Sequence, residues 1–268
     1  MASIATPRPS GSSPSRYAGI LRSEFCKLRS VRSTYWTLFA AVVFNVAVAA
    51  LLAVLLPGHL SAHEKATLDS TRVSLGGLHL SQISFGLLGV LVITGEYGTG
   101  MIRATLSAVP QRRLMLAAKT IVFAAAALIV GILASFAAYF VFQAFLSDDS
   151  MRTSLGDPGV LRAVTGGGLY LAVLGLFGLG LGAIIRFSAG AVAALFGVLF
   201  VPQLIVTLLP SSWQDIVGPY LPMEAGTTIF TVHHEAGTLG AWSGFGVFCL
   251  YAAVALVAGF VLINHRDA

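Results

Sequence analysis

The sequence predicts an all-α integral membrane protein with six transmembrane helices. Charged residues make up 10% of the chain and hydrophobic residues 56%, and the mean hydropathy is +0.86. Soluble domains contain about 25% charged residues, so this chain has too few charges to cover a surface exposed to water. The composition therefore excludes a soluble protein and indicates a chain that lies mostly in lipid.

Six long stretches of the sequence contain no Asp, Glu, Lys or Arg. The shortest of them, residues 73–95 and 163–185, each hold 23 residues. A helix needs about 20 apolar residues to cross the hydrocarbon core of a membrane, and it satisfies its own backbone groups there. The predicted spans are residues 35–56, 75–94, 114–146, 163–185, 191–209 and 242–263.

The basic residues predict the orientation of the chain. With six spans both termini lie on one side, and that side carries twelve of the sixteen Lys and Arg residues. The positive-inside rule therefore places both termini in the cytoplasm. Because these basic residues flank the spans, we expect membrane lipids rather than nucleic acid as their partners. Residues 1–16, rich in Ser and Pro, are predicted to be a disordered cytoplasmic tail before a transmembrane domain of residues 17–268.

Residues 17–32 read as an amphipathic helix that lies in the membrane interface. Its apolar face has helical spacing and is formed by Tyr17, Ile20, Leu21 and Leu28. Glu24 falls within this face, where an unpaired acid is costly. Two partners are open at this point. One is Lys27, three residues later on the same helix, and the other is a cation such as Arg103 on a neighbouring cytoplasmic element.

The stretch from Gly95 to Arg103, with the sequence GEYGTGMIR, connects the second span to a basic segment. Thr99 is a plausible N-cap for a short helix over residues 99–109, which Pro110 would end. This helix is nearly neutral, a property that suits docking against a protein. The alternative is an ordinary loop helix in the membrane interface. After it, Arg112, Arg113 and Lys119 are predicted to anchor the third span at the lipid headgroups.

Several polar or helix-breaking residues fall within the predicted spans. Gln82 lines a pathway or forms a hydrogen bond to a neighbouring helix, and the second role is the simpler one. Pro202 and Gln203 together mark a kink beside a polar side chain, which fits a pathway element or ordinary packing equally well. Gly178 and Gly182 form a GxxxG pair that favours close packing within the chain over a dimer contact. The segment of residues 210–240 is apolar enough to dip back into the membrane.

Motifs for catalysis are missing from the sequence. The three lysines, Lys27, Lys65 and Lys119, do not follow glycine, so the chain lacks the GxxxxGK[ST] loop that binds ATP phosphates. It also has no HExxH and no GxSxG. His59 and His63 have a helical metal-ligand spacing but no third ligand, so we interpret them as part of a polar loop. The sequence predicts no enzyme, no catalytic residue, no cofactor and no metal.

Four segments carry a resemblance to a known family. Residues 22–30 (RSEFCKLRS) precede the first span, and residues 94–103 (TGEYGTGMIR) follow the second. Residues 109–113 (VPQRR) and 220–222 (YLP) fit the same pattern. The chain resembles the membrane subunit, or permease, of an ATP-binding-cassette transporter of the ABC-2 type in its bacterial, particularly actinobacterial, form.

This resemblance implies an N-terminal elbow helix over residues 17–32, a cytoplasmic coupling helix over residues 99–109 and a re-entrant segment before the sixth span. It also implies a plasma-membrane exporter built from two permeases, of one or two kinds, and driven by a separate cytoplasmic ATPase. Glu96 would fix the coupling helix by pairing near the elbow helix or the span ends. The expected coupling and docking residues are Glu96, Tyr97, Gly98, Thr99, Gly100, Met101, Ile102, Arg103 and Leu106, with Glu24 and Lys27 on the elbow helix. The alternative is a polytopic membrane anchor or assembly protein that transports nothing.

Overall fold

The computed structural model of the chain describes residues 14–30, 32–108, 111–233 and 237–265. Within these ranges the chain is helical and contains no β-strand. The described α-helices are α1 Pro14–Ser30, α2 Arg32–Leu55, α3 Ala62–Thr67, α4 Ser70–Ser74, α5 Leu78–Gly98, α6 Met101–Ala108, α7 Arg112–Phe145, α8 Val160–Ile185, α9 Ser188–Thr207, α10 Ser211–Val217, α11 Pro222–Thr227 and α12 Ala241–His265.

Six of these helices are long and apolar enough to cross a membrane, namely α2, α5, α7, α8, α9 and α12. The all-helical class and the six predicted spans are therefore confirmed. The second span differs from its predicted bounds at both ends, because α5 begins at Leu78 and continues to Gly98. At the N-terminus, α1 begins at Pro14, inside the predicted tail, while residues 1–13 lie outside the described ranges.

Helix α8 lies at the centre of the bundle and packs against α5, α7, α9 and α12. Of its most apolar stretch 67% is buried, compared with 22% for α2 and for α9. Glycines bring α8 close to α5: a Cβ atom at Gly178 would overlap the backbone of Gly86, and one at Gly182 would overlap the side chain of Ile93. The GxxxG pair therefore packs within the chain, because small residues let two helices approach closely.

Two of the three predicted pathway residues, Gln82 and Gln203, make hydrogen bonds between elements of this chain. Gln82 on α5 is buried, and its side-chain oxygen accepts a hydrogen bond from the hydroxyl of Tyr170 on α8. Pro202 lies inside α9, and the next residue, Gln203, donates a hydrogen bond to Glu224 Oε1 on α11 at 2.9 Å. For Gln82 this contact matches the simpler of the two predicted roles, a bond between neighbouring helices.

Polar contacts also join the loops at the end of the bundle away from α1 and α6. The Asp69 carboxylate accepts a hydrogen bond from the Val232 backbone N–H at 2.6 Å. Arg162 donates to the carbonyl oxygens of Ile229 at 3.0 Å and Thr231 at 2.9 Å. The segment around α11 that was predicted to dip back is mostly buried over residues 221–230 and packs against α8 and α12.

Candidate functional site

The inward face of α1 carries an acid at its centre. Ile20 and Glu24 are buried one turn apart and Leu28 follows one turn later, so the face has the i, i+4 spacing of an amphipathic helix. Glu24 is only 4% exposed, and α1 packs against α7 and α2. An acid in such a place must be paired with a cation or it would oppose folding.

Four charged side chains from three helices meet at this face, and we call them the ion cluster: Glu24 and Lys27 of α1, Glu96 of α5 and Lys119 of α7. The Lys119 Nζ atom lies 2.7 Å from Glu24 Oε2 and 2.8 Å from Glu96 Oε1. The Lys27 Nζ atom lies 2.7 Å from Glu24 Oε1 and 3.2 Å from Glu96 Oε1. Two carboxylates and two ammonium groups thus alternate, and their formal charges cancel.

The cluster resolves the open question about Glu24. Glu24 pairs with Lys27 on its own helix, and it also reaches a neighbouring element, but the partner there is Lys119 rather than Arg103. The Arg103 side chain is exposed. The prediction that Lys119 anchors the third span at the lipid headgroups is wrong, because Lys119 is 3% exposed and its ammonium is held by two buried acids.

The electrostatics of the cluster favour the charged forms of both α1 residues. Burial raises the pKa of the Glu24 carboxyl, but the Lys119 and Lys27 ammonium groups outweigh burial, so the pKa lies below its ordinary value of 4.5. Burial lowers the pKa of the Lys27 ammonium, but the Glu24 and Glu96 carboxylates outweigh it, so that pKa lies above 10.5. Glu24 and Lys27 are therefore ionised at neutral pH.

Helix α6 is attached to the cluster by the face that carries Ile102 and Thr105. Lys27 Nζ donates a third hydrogen bond, to Thr105 Oγ1 of α6 at 3.1 Å. Ile102, one turn before Thr105, is 3% exposed and belongs to the apolar core. On the opposite face Arg103, Ala104 and Ser107 are exposed, whereas the exposed Met101 lies beside Thr105 on the attached side. The eight-residue helix is therefore held to the bundle by the face of Ile102 and Thr105.

The glycine-rich motif continues α5 instead of interrupting it. Glu96, Tyr97 and Gly98 are helical, and Thr99 is the C-cap residue of α5, with its hydroxyl bonded to the Gly95 carbonyl at 2.8 Å. The prediction that Thr99 is an N-cap is wrong, because Thr99 has the helical backbone of the α5 C-cap and α6 begins two residues later, at Met101. The chain then turns at Gly100, whose φ of +70° lies in the left-handed region, and α6 follows.

Tyr97 contacts a different part of the bundle from Glu96. The Arg186 guanidinium, just after α8, lies over the Tyr97 ring at 5.2 Å from its centroid. Such a cation–π contact contributes about 0.5–2 kcal/mol. Arg186 also donates to the carbonyl oxygen of Leu262 on α12 at 3.3 Å. Two successive residues of the motif thus connect α5 to α1 and α7 on one side and to α8 and α12 on the other.

Not every predicted site residue can be placed. Leu106 belongs to α6 by its backbone, but its side chain lies outside what the structure describes, as do residues 109 and 110 at the predicted end of this helix. Two residues of the site, Lys119 and Thr105, were not predicted. One signal for Lys119 was available in the sequence: Glu24 and Glu96 are two of only three acids on the predicted cytoplasmic side, and each needed a cation.

Comparison with known families identifies the chain. The sequence profile of a family described as "ABC-2 family transporter protein" matches residues 20–200 of the 268 residues. A comparison with curated proteins finds no matching relative. The matched region contains the whole ion cluster, α6 and the motif between α5 and α6. Since the match covers more than half of the sequence, the chain belongs to the ABC-2 family of transporter membrane proteins.

Proposed function

We propose that the chain is the permease subunit of an ATP-binding-cassette exporter in the bacterial plasma membrane, with both termini in the cytoplasm. Two permeases, identical or related, form the translocation pathway, and a separate ATPase docks on the segment of residues 99–109. Membership of the ABC-2 family supports the permease assignment, and the missing GxxxxGK[ST] loop supports an ATPase on another chain.

The observation that carries the proposal is the attachment of α6 to the ion cluster. The exposed face of α6, with Arg103, Ala104 and Ser107, offers a docking surface for the ATPase. Its other face is held by the Lys27–Thr105 hydrogen bond and by the burial of Ile102. A displacement of α6 is therefore passed to α1 through Lys27, and from there to α5 and α7.

Buried and charge-paired contacts are suited to passing a displacement of α6 to the other helices. A cluster of alternating charges loses much of its stability when one member leaves, so its four members move together or not at all. Packed elements that behave in this way have discrete arrangements, and they convert a small local shift into a switch between two states. In this account ATP binding on the partner selects one arrangement and ATP hydrolysis restores the other.

Site-directed crosslinking tests the proposed docking face. In a chain in which Cys26 and Cys249 are replaced by Ser, we place a single thiol by Ser107→Cys on α6 or by Ser212→Cys on α10, both at exposed positions. We expect Ser107→Cys to crosslink to a co-purifying ATPase with a GxxxxGK[ST] loop, and Ser212→Cys not to do so. A membrane-impermeant maleimide should label only Ser212→Cys in intact cells.

The opposite labelling pattern would overturn the orientation, and a chain that purifies without any ATPase would favour the alternative of a non-transporting anchor. Both thiols lie at exposed positions on α-helices, so they form a matched pair. A difference in maleimide labelling therefore reports the side of the membrane on which each residue lies. A difference in crosslinking reports which residue contacts the ATPase.

A further inference from the structure

A groove lies on the surface of the bundle between α1, α2 and α7. Its volume is about 370 Å³, within the range of about 300–1,000 Å³ for ligand pockets. Its floor is apolar and half-buried, and it is formed by Leu28, Leu38, Val42, Val122, Ala126 and Val130. Its rim carries the exposed aromatic rings of Phe25, Tyr35 and Phe39. The four residues of the ion cluster do not line it, so the groove is a separate feature.

The groove follows the axes of two membrane-spanning helices. Its lining residues extend from Thr34 to Val42 on α2 and from Val122 to Val130 on α7. A separation of eight residues corresponds to about 12 Å along a helix axis. One leaflet contributes half of the hydrocarbon core of about 30 Å, or about 15 Å. The groove therefore has the direction and nearly the length of an acyl chain in one leaflet.

Positive charge lies at the end of the groove next to α1. Arg29 lines this end and is exposed, and Arg32 at the start of α2 is exposed as well. The described acids at this end of the bundle are Glu24 and Glu96, and both are buried and engaged by the two lysines of the ion cluster. Within the described part of the chain, no acid at this end is therefore left to neutralise the two arginines.

We propose that the groove binds an anionic phospholipid of the surrounding membrane, with one acyl chain along its floor and the phosphate at the Arg29 guanidinium. A guanidinium suits a phosphate because its planar N–H groups can donate two parallel hydrogen bonds to the phosphate oxygens. The Tyr35 ring lies at the start of the span, where aromatic side chains commonly meet the headgroups. The inference concerns a lipid bound to one chain, and it does not depend on the transported substrate or on the ATPase.

A second copy of the chain fits this groove less well than a lipid does. A two-fold dimer brings the same patch of both chains together. The arginines at positions 29 and 32 of one chain would then approach those of the other beside an apolar contact, where repulsion between like charges is stronger than in water. The negative headgroup of a lipid would instead balance these charges.

Lipid binding can be measured with two probes that differ in headgroup charge. The full-length permease in detergent micelles is titrated with phosphatidylglycerol or with phosphatidylcholine of the same acyl chains, and bound lipid is counted by native mass spectrometry. We expect the first phosphatidylglycerol to bind more tightly than the first phosphatidylcholine, by about fivefold for each arginine that faces the headgroup. This preference should decrease as salt is added, because the arginines are exposed.

A change of charge tests the headgroup end of the groove. Arg29→Gln should remove about fivefold of the preference for phosphatidylglycerol. Its matched control is Arg22→Gln, since Arg22 is exposed on the same helix, about two turns earlier, and does not line the groove. We expect Arg22→Gln to leave the binding of the first lipid unchanged.

A larger side chain tests the floor of the groove. Ala126→Phe should fill the path of the acyl chain and weaken the binding of both lipids about tenfold or more. Ala137→Phe is its control, because Ala137 is also a half-buried alanine on the same face of α7, about three turns further along, and does not line the groove. Circular dichroism in the same micelles shows whether each variant folds.

The results decide between the occupants. Equal binding of the two lipids to the wild type would overturn the proposal, and so would equal effects of Arg29→Gln and Arg22→Gln. If Ala126→Phe, but not Ala137→Phe, dissociates a dimer and leaves lipid binding unchanged, the groove holds a second copy and the proposal is wrong. If Ala126→Phe fails to fold, the two arginine variants at exposed positions still decide the outcome.

Discussion

The Lys119 ammonium lies 2.8 Å from Glu96 Oε1 and 2.7 Å from Glu24 Oε2, so a single cation at the start of α7 joins α5 to α1. Lys27 completes the arrangement from the other side and extends it to Thr105 on α6. Helix α1 and the three consecutive helices α5, α6 and α7 are thereby connected at one point. The proposed transfer of movement from α6 to the bundle requires that this point stays charged and paired.

Removal of Lys119 should destabilise the fold strongly. Lys119→Met leaves two buried carboxylates with only one ammonium, and breaking a buried ion pair in this way costs about 3–5 kcal/mol. Adding Glu96→Gln restores neutrality, so we expect the double variant to lose less than the sum of the single losses. The free energy of unfolding in mixed micelles, followed by circular dichroism, measures this coupling.

Lys65→Met is the control for that experiment, since Lys65 pairs with Asp148 at 2.7 Å in a loop region instead of within the bundle. Its loss of stability should be much smaller than that of Lys119→Met. Strict additivity of Lys119→Met and Glu96→Gln would show that the two side chains do not act as a unit.

We expect the turn between α5 and α6 to tolerate a side chain at position 98 but not at position 100. Gly100 has a φ of +70°, so Gly100→Ala forces a left-handed conformation that costs about 1–2 kcal/mol. Gly98 is helical and a Cβ atom there would meet no other atom within 4 Å, so Gly98→Ala should leave stability unchanged or slightly raised. Thermal unfolding of the two variants compares them directly, and equal losses would contradict the assigned turn.

We expect the aromatic ring of Tyr97 to contribute more to stability than its hydroxyl group does. Tyr97→Phe keeps an aromatic face beneath the Arg186 guanidinium, whereas Tyr97→Leu removes it. We expect Tyr97→Leu to lose about 0.5–2 kcal/mol of stability and Tyr97→Phe much less. If the two variants behave alike in chemical unfolding, the contact between α5 and Arg186 contributes nothing.

The ion cluster predicts a specific pH dependence. The pKa of Glu24 is lowered in the folded chain, so its contribution to stability is present above its ordinary pKa of 4.5 and is lost as the pH falls through the lowered value. The stability difference between the wild type and Glu24→Gln should therefore stay constant from neutral pH down to about pH 5.5 and shrink below about 4.5.

Asp148→Asn offers a comparison with a second ion pair, whose contribution to stability has a different pH dependence. The hydrogen bonds from Lys65 and Ser150 lower the pKa of Asp148 to about 2, so its contribution is present above its ordinary pKa of 3.8 and is lost as the pH falls toward 2. Unfolding curves between about pH 2 and 8 for the wild type and both variants test these two pH windows. A Glu24→Gln difference that disappears above pH 5 would contradict the paired state of Glu24.

The sequence predicted the spans well because a membrane imposes a strong constraint on composition and length. Stretches without charge mark the helices directly, and glycines at Gly178 and Gly182 mark a close contact. The ion cluster was predicted only in part. Glu24 and Glu96 stand out as acids beside apolar segments, but the distance between residues 24, 96 and 119 gives no local pattern, so tertiary packing alone brings Lys119 to them.

The start of α6 differs from its predicted position for a local reason. Thr99 has the chemistry of an N-cap, but the same hydroxyl also bonds to a carbonyl four residues earlier when a helix continues through it. The sequence contains both possibilities, and the glycine at position 100, which permits the left-handed turn, decides between them. No local pattern in the sequence identifies the Thr105 hydroxyl as an acceptor for Lys27.

The most direct measurement tests whether the nucleotide bound to the ATPase changes the accessibility of a residue at the end of the permease away from α6. Val206 is 8% exposed and lines a cavity of about 330 Å³ beside Gln203 and Glu224, at the end of the bundle away from α6. In the complex with its ATPase, and with the native cysteines replaced, Val206→Cys reports access through its rate of reaction with a thiol reagent. ATP with vanadate should change that rate severalfold in the otherwise native chain and leave it unchanged when Thr105→Val or Glu96→Gln is added. An equal change in all three chains would contradict transmission through α6 and the ion cluster.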